Sequence, residues 1–158
     1  MTPDYTLLER QLRSLLAGER DFIPNAANFA AFIFNEIPDV NWAGFYLLTP
    51  SRELVLGPFC GKPACARLPA GAGVCGAAVT RREAIVVDDV STFSDHIVCD
   101  TASVSEMVLP LFIGGNLRGV FDCDSPTFAR FSEVDRAGIE RLVAIFSESV
   151  HSPATNAR

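Results

Sequence analysis

Lysine is almost missing from this chain. Lys62 is the only one, and 13 basic residues stand against 19 acids, for a formal charge of -6 and a pI near 4.8. A dedicated nucleic-acid binder needs a basic face to neutralise phosphates, so that class is excluded first. Long apolar runs are missing too. Phe29–Phe34 and Met107–Ile113 are the longest, far short of the roughly 20 residues that cross a bilayer. The N-terminus, Met1-Thr2-Pro3-Asp4, carries neither the basic nor the apolar segment of a secretion signal, so a cytoplasmic location is expected and no membrane partner. Short Cys-x2-Cys pairs, the usual mark of a structural zinc site, do not occur. Repeats and low-complexity linkers are also lacking. One domain of 158 residues remains, 49% hydrophobic, a size that buries a single core.

What the chain does have is five cysteines: Cys60, Cys65, Cys75, Cys99 and Cys123. In a reducing compartment such a set points to packing, metal or redox chemistry rather than to a disulfide scaffold.

The hydrophobic pattern orders the chain. Thr2 and Pro3 suit the start of a first helix whose Leu8, Leu12, Leu15 and Leu16 share a face. A second helix is predicted from Pro24 or Asn25 to about Glu36, stopped by Pro38. Trp42–Leu48 and Glu53–Phe59 read as a strand pair. The stretch from Gly57 to Gly76, with its glycines and prolines, reads mostly as loop. A short helix over 74–82, a strand over 84–87 and a second irregular stretch over 88–103 follow. Glu106–Ile113 and Leu117–Asp124 then flank a Gly114-Gly115-Asn116 turn. Ser132 caps a last helix whose apolar stripe is read as Val134, Ile139, Leu142, Val143, Ile145 and Phe146. Helices gathered on one side of an antiparallel sheet make an α+β domain over residues 1–150, with 151–158 a disordered tail.

Two constellations carry chemistry. Cys99 sits in a polar loop with His96 three residues before it, and Cys65 and Cys75 lie in the glycine-rich loop. A thiolate oxidised to sulfenic acid is recovered when a second thiol condenses with it, and such a trio supplies both parts. For each cysteine taken alone, the reading as a small buried hydrophobe prevails. A zinc site of Cys65, Cys75, Cys99 and His96 is conceivable, but no metal is expected. Asp122 and Asp124, two apart on a strand, point to one face while Cys123 points to the other, and Glu106 on the neighbouring strand can reach the acidic side. Three converging acids repel unless a cation, a substrate ammonium or a metal ion, sits among them. The plainer reading makes the two aspartates solvated strand-end residues. Trp42 and Tyr46, four apart on a strand, either wall a pocket for a cation or thioether or belong to the core.

Taken together, several runs resemble the free methionine-(R)-sulfoxide reductases. They are Asn41-Trp42-Ala43-Gly44-Phe45-Tyr46, Leu56 to Cys65, Gly71 to Gly76, His96-Ile97-Val98-Cys99-Asp100, Ser105 to Leu111, and Gly119 to Ser125. The spacings between Cys65, Cys75 and Cys99 are the family's own. The resemblance implies a single GAF-like domain with a six-stranded antiparallel sheet. It further implies an enzyme of oxidative-stress repair that reduces free methionine-R-sulfoxide without a bound cofactor and is recycled by thioredoxin. By position, Cys99 would attack, Cys65 would resolve the sulfenic acid as a disulfide and Cys75 would be auxiliary. Glu106 would be the acid that protonates the sulfoxide oxygen, its pKa raised by Asp122 and Asp124. Those three acids would hold the substrate, and Trp42 and Tyr46 its methyl group. Cys60 and Cys123 are extra. The rival function is a non-catalytic GAF sensor module that binds a small molecule. The leucine face of the first helix could support a homodimer.

Overall fold

The computed structural model describes residues 1–94, 97 and 101–151. The first helix, α1, runs Tyr5–Leu16 and is capped by Asp4, whose carboxylate accepts from the Leu7 amide, not by Thr2. The second, α2, spans Phe22–Glu36 and so begins ahead of Pro24. Pro24 lies in its first turn, where backbone amides have no intrahelical acceptor and proline costs nothing. The remaining elements are β1 (Trp42–Leu48), β2 (Leu54–Gly61), β3 (Arg67–Leu68), α3 (Gly73–Arg81), β4 (Ile85–Val87), a 3-10 turn (Val90–Thr92), β5 (Ser105–Ile113), β6 (Asn116–Ser125) and α4 (Glu133–Val150). The strands form one six-stranded sheet in the order β3-β2-β1-β6-β5-β4, with antiparallel pairings throughout. The fold is the expected α+β architecture.

The sheet separates two cores. On one face, α1, α2 and α4 pack over Ala43, Phe45, Met107, Leu109, Leu111, Phe121 and Cys123. Phe29 lies at the centre of this layer, with ring centroids 5.7 Å from Phe45, 4.9 Å from Phe121 and 5.3 Å from Phe146. Such tilted and edge-on rings add specific geometry to a large burial. On the other face, Val74, Cys75, Ala78 and Val79 of α3 join Trp42, Tyr46, Val108 and Val120 in a second core that also takes in Leu54, Leu68 and Val90. The helices are therefore not all on one side: α3 crosses to the opposite face, and the site lies beneath it.

Two packing expectations change. Leu8, Leu12 and Leu16 are buried in the chain's own core, while Leu15 is 45% exposed. That leucine face is thus unavailable for a dimer. Val134, 57% exposed, leaves the stripe of α4, whose inner face is Asp135, Gly138, Ile139, Leu142, Val143, Ile145 and Phe146. Ser132 caps α4 as expected, in a reciprocal pair with Asp135. His151 directly follows α4, and 152–158, the rest of the expected tail, lie outside the described residues.

Candidate active site

Strand register assembles the acids. Asp124 on β6 stands opposite Trp42 on β1 and Glu106 on β5, and one row further Asp122 stands between Gly44 and Val108. Because strand side chains alternate, Asp122 and Asp124 face α3 while Cys123 enters the other core, fully buried. Gly44 matters through what it lacks. A Cβ there would meet the Trp42 ring at 2.8 Å and Phe59 Cβ at 2.4 Å. The bare backbone lets the Trp42 ring lie across the strand, stacked between Tyr46 (centroids 5.9 Å, 24°) and Phe59 (5.4 Å, 15°).

Above this floor, α3 delivers Cys75. Gly76 allows it, because a Cβ at that position would meet the Gly71 backbone at 2.4 Å. The result is a pocket lined by Trp42, Tyr46, Cys75, Glu106, Asp122 and Asp124, with Gly73 and Val74 at the start of α3. Cys65 lies half-buried on the segment that leads to β3 and is disulfide-bonded, whereas Cys60, Cys75 and Cys123 are free thiols. Cys99 and His96, the other members of the expected thiol chemistry, lie outside the described residues.

The electrostatics follow from burial. Glu106 and Asp122 are each 6% exposed. Loss of water, then the charge of Asp124, pushes the Glu106 carboxyl up to about 8. Asp122 acts the other way on Glu106, since hydrogen bonding between the two carboxyls favours the ionised Glu106. The expected cause, repulsion by both aspartates, is thus replaced by burial first and Asp124 second. Asp122 is itself raised well above the usual carboxylate range by burial and by Glu106. Its Oδ1 is buried and meets no donor among the described residues. The aspartate is therefore not a solvated strand-end group.

The Cys75 thiol donates to Asp122 Oδ2 at 3.5 Å, and burial followed by the charge of Asp122 raises its pKa strongly. It is a thiol rather than a thiolate at neutral pH, a poor nucleophile. Atoms of Cys75, Glu106 and Asp122 lie within 4.8 Å of one another, the one grouping among the described residues that could hold a metal ion.

The aromatic pair does more than wall the pocket. Trp42 Nε1 donates to the Lys62 carbonyl at 3.0 Å, and the Tyr46 hydroxyl donates to the Cys65 carbonyl at 2.9 Å. Sequence reasoning did not find these tethers, because their acceptors are main-chain atoms. Nor did it single out Phe59, although an aromatic on the strand opposite Trp42 was the available signal.

Among known families, the GAF domain model matches residues 26–151. The free methionine-R-sulfoxide reductase of Escherichia coli is 48% identical over 143 residues, covering 90% of this chain and 86% of that protein. The free methionine-R-sulfoxide reductase of Saccharomyces cerevisiae is 37% identical over 153 residues, covering 90% and 85%. A crystal structure of free methionine-R-sulfoxide reductase from Neisseria meningitidis, in complex with its substrate, superposes with a TM-score of 0.88 at 41% identity, covering 92% of this chain and 87% of that one. Since the family model spans most of the chain and the Escherichia coli enzyme matches nine-tenths of it at nearly half identity, this chain belongs to the GAF-domain free methionine-R-sulfoxide reductase family.

Proposed function

We propose that the chain reduces free methionine-R-sulfoxide to methionine with Cys99 as nucleophile and Cys65 as resolving thiol, thioredoxin supplying the electrons. One observation carries the reading. A carboxyl that keeps its proton at neutral pH, Glu106, faces the same pocket as two aspartates and an aromatic wall.

Sulfoxide oxygen leaves badly as an anion. Glu106 donates its proton to that oxygen, which makes the sulfur electrophilic at the moment of attack. Asp122, with one buried oxygen lacking a donor, and Asp124 take the substrate ammonium, and a cation there relieves the crowding of the carboxyls. A peptide-bound methionine has no such ammonium, so the acids select the free amino acid. The rings of Trp42 and Tyr46 receive the methyl group. Attack by the Cys99 sulfur transfers the sulfoxide oxygen to it and releases methionine, with Cys99 left as sulfenic acid. Cys65 then displaces that hydroxyl as water and the disulfide forms. The disulfide at Cys65 supports its place as the resolving thiol, and the buried, protonated Cys75 supports an auxiliary one.

The activity needs no bound cofactor. A homodimer would use a surface other than the buried leucine face of α1. Among the described residues, no helix is long and apolar enough to cross a membrane.

NADPH oxidation coupled through thioredoxin and its reductase tests the function. Turnover is expected with free methionine-R-sulfoxide, and none with the S epimer or a peptide-bound form. Equal rates on the peptide would overturn the role of the aspartates. Absence of turnover on all three would favour a binding module.

A further inference from the structure

The segment between β2 and β3 carries Cys65, and most of it is exposed: Lys62, Pro63 and Ala66 face solvent. It is short of internal structure, yet it is pinned near both ends from below. The Leu56 amide bonds the Ala66 carbonyl at 2.9 Å, which fixes the far end to β2. The other two anchors are side chains of β1: Trp42 Nε1 on the Lys62 carbonyl and the Tyr46 hydroxyl on the Cys65 carbonyl, 3.0 and 2.9 Å. Tyr46 stays a donor throughout the ordinary pH range, because burial and then the charge of Asp122 raise its phenol far above its usual value. Both rings also line the pocket. The tether is seen with Cys65 already in a disulfide.

We propose that Tyr46 is a positioning residue for Cys65: its hydroxyl holds the Cys65 main chain where the thiol can close the disulfide. This inference rests on the proposed function, in which Cys65 resolves the sulfenic acid. One side chain then serves two steps, its ring the substrate methyl and its oxygen the resolving thiol. In the step concerned, the Cys65 thiolate attacks the sulfenic sulfur, an S–S bond forms and the S–O bond breaks. The hydroxide leaves and takes a proton to become water. Cys65 is oxidised, the sulfenic sulfur is reduced, and an external dithiol later returns two electrons. A hydrogen bond that exists in the closed form and is weaker or absent in the open one favours closure by about fivefold.

The test compares the full chain with Tyr46→Phe, which keeps the ring and removes only the hydroxyl. Because the Tyr46 ring also lines the substrate pocket, the deciding readouts are the two that follow methionine release, the trapping of sulfenic acid and the disulfide equilibrium. Trapping of sulfenic acid by dimedone should rise, and steady-state kcat should fall about fivefold because closure is slow. In glutathione buffers, the Cys65 disulfide should be about fivefold easier to reduce, about 20 mV for a two-electron couple. A raised KM with unchanged dimedone trapping would place the hydroxyl on the substrate and overturn the proposal. So would an unchanged disulfide equilibrium. Wild-type protein that releases no methionine would instead refute the function, and the glutathione equilibrium would still report on the tether.

Discussion

The two faces of the sheet use the same strands for opposite ends. Under α1, α2 and α4, the buried strand side chains are apolar and interlocked around Phe29. Under α3, the same strands bury two carboxyls whose pKa values burial has raised, next to a thiol that donates to one of them, Asp122. Burying an acid without a cation costs stability, and a sheet needs a well-packed opposite face to tolerate it. The difference teaches where this chain keeps its stability and where its reactivity. Three helices secure the fold, and one short helix roofs a site held in a less stable arrangement until substrate arrives.

The comparison can be broken from either side. The largest effect is expected from Glu106→Gln, which keeps the shape of the open face and removes its proton. Turnover should fall about 10²- to 10⁴-fold, the usual worth of a general acid. Its stability should move the other way. In wild type the folded carboxyl titrates at about 8 and the unfolded one near 4.5. Between those values the native state holds a proton that the unfolded chain releases, so wild-type stability falls as pH rises through that window. The variant lacks this slope. Urea midpoints of the two should therefore diverge in favour of the variant as pH rises from 4.5 to 8. A variant less stable than wild type at pH 8 would undo the contrast between the faces.

Next comes Phe29→Ala on the packed face. A ring with no exposed surface and three aromatic neighbours is lost, and the expected cost is about 3–5 kcal/mol in chemical unfolding. At a temperature where the variant is folded, KM for the sulfoxide should be little changed. The smallest effect is expected from Val134→Ala. Exposed at 57%, it should shift stability by no more than about 0.5 kcal/mol and leave turnover alone.

That last residue shows where the sequence was readable and where it was not. Val134 fits the apolar period of α4 by spacing, but in the first turn the inward position belongs to the buried Asp135, and Val134 beside it faces solvent. Strand alternation was fully legible: Asp122 and Asp124 outward to the site, Cys123 inward to the core. The leucine face of α1 was legible too, though its use was not, since a stripe that packs on helices of its own chain, here α4 and α2, looks the same in sequence as one that packs on a partner. The crossing of α3 to the other face left no signal, because a nine-residue helix between two loops can fall on either side. β3, only two residues long, was read as loop for the same lack of pattern. Around the site, residue types gave the carboxyls and the aromatics. They could not give the order of causes behind the raised Glu106, which depends on depth of burial, nor the hydrogen bonds of Trp42 and Tyr46 to main-chain carbonyls, which any residue can offer.

A carboxyl that remains protonated inside the open face is the centre of this account. Carbon-13 NMR titration of the Glu106 side chain in the reduced, substrate-free protein measures it directly. A midpoint near 8, falling when Asp124→Asn removes the neighbouring charge, is the predicted result. A midpoint near 4.5, the ordinary value of glutamate, would contradict it.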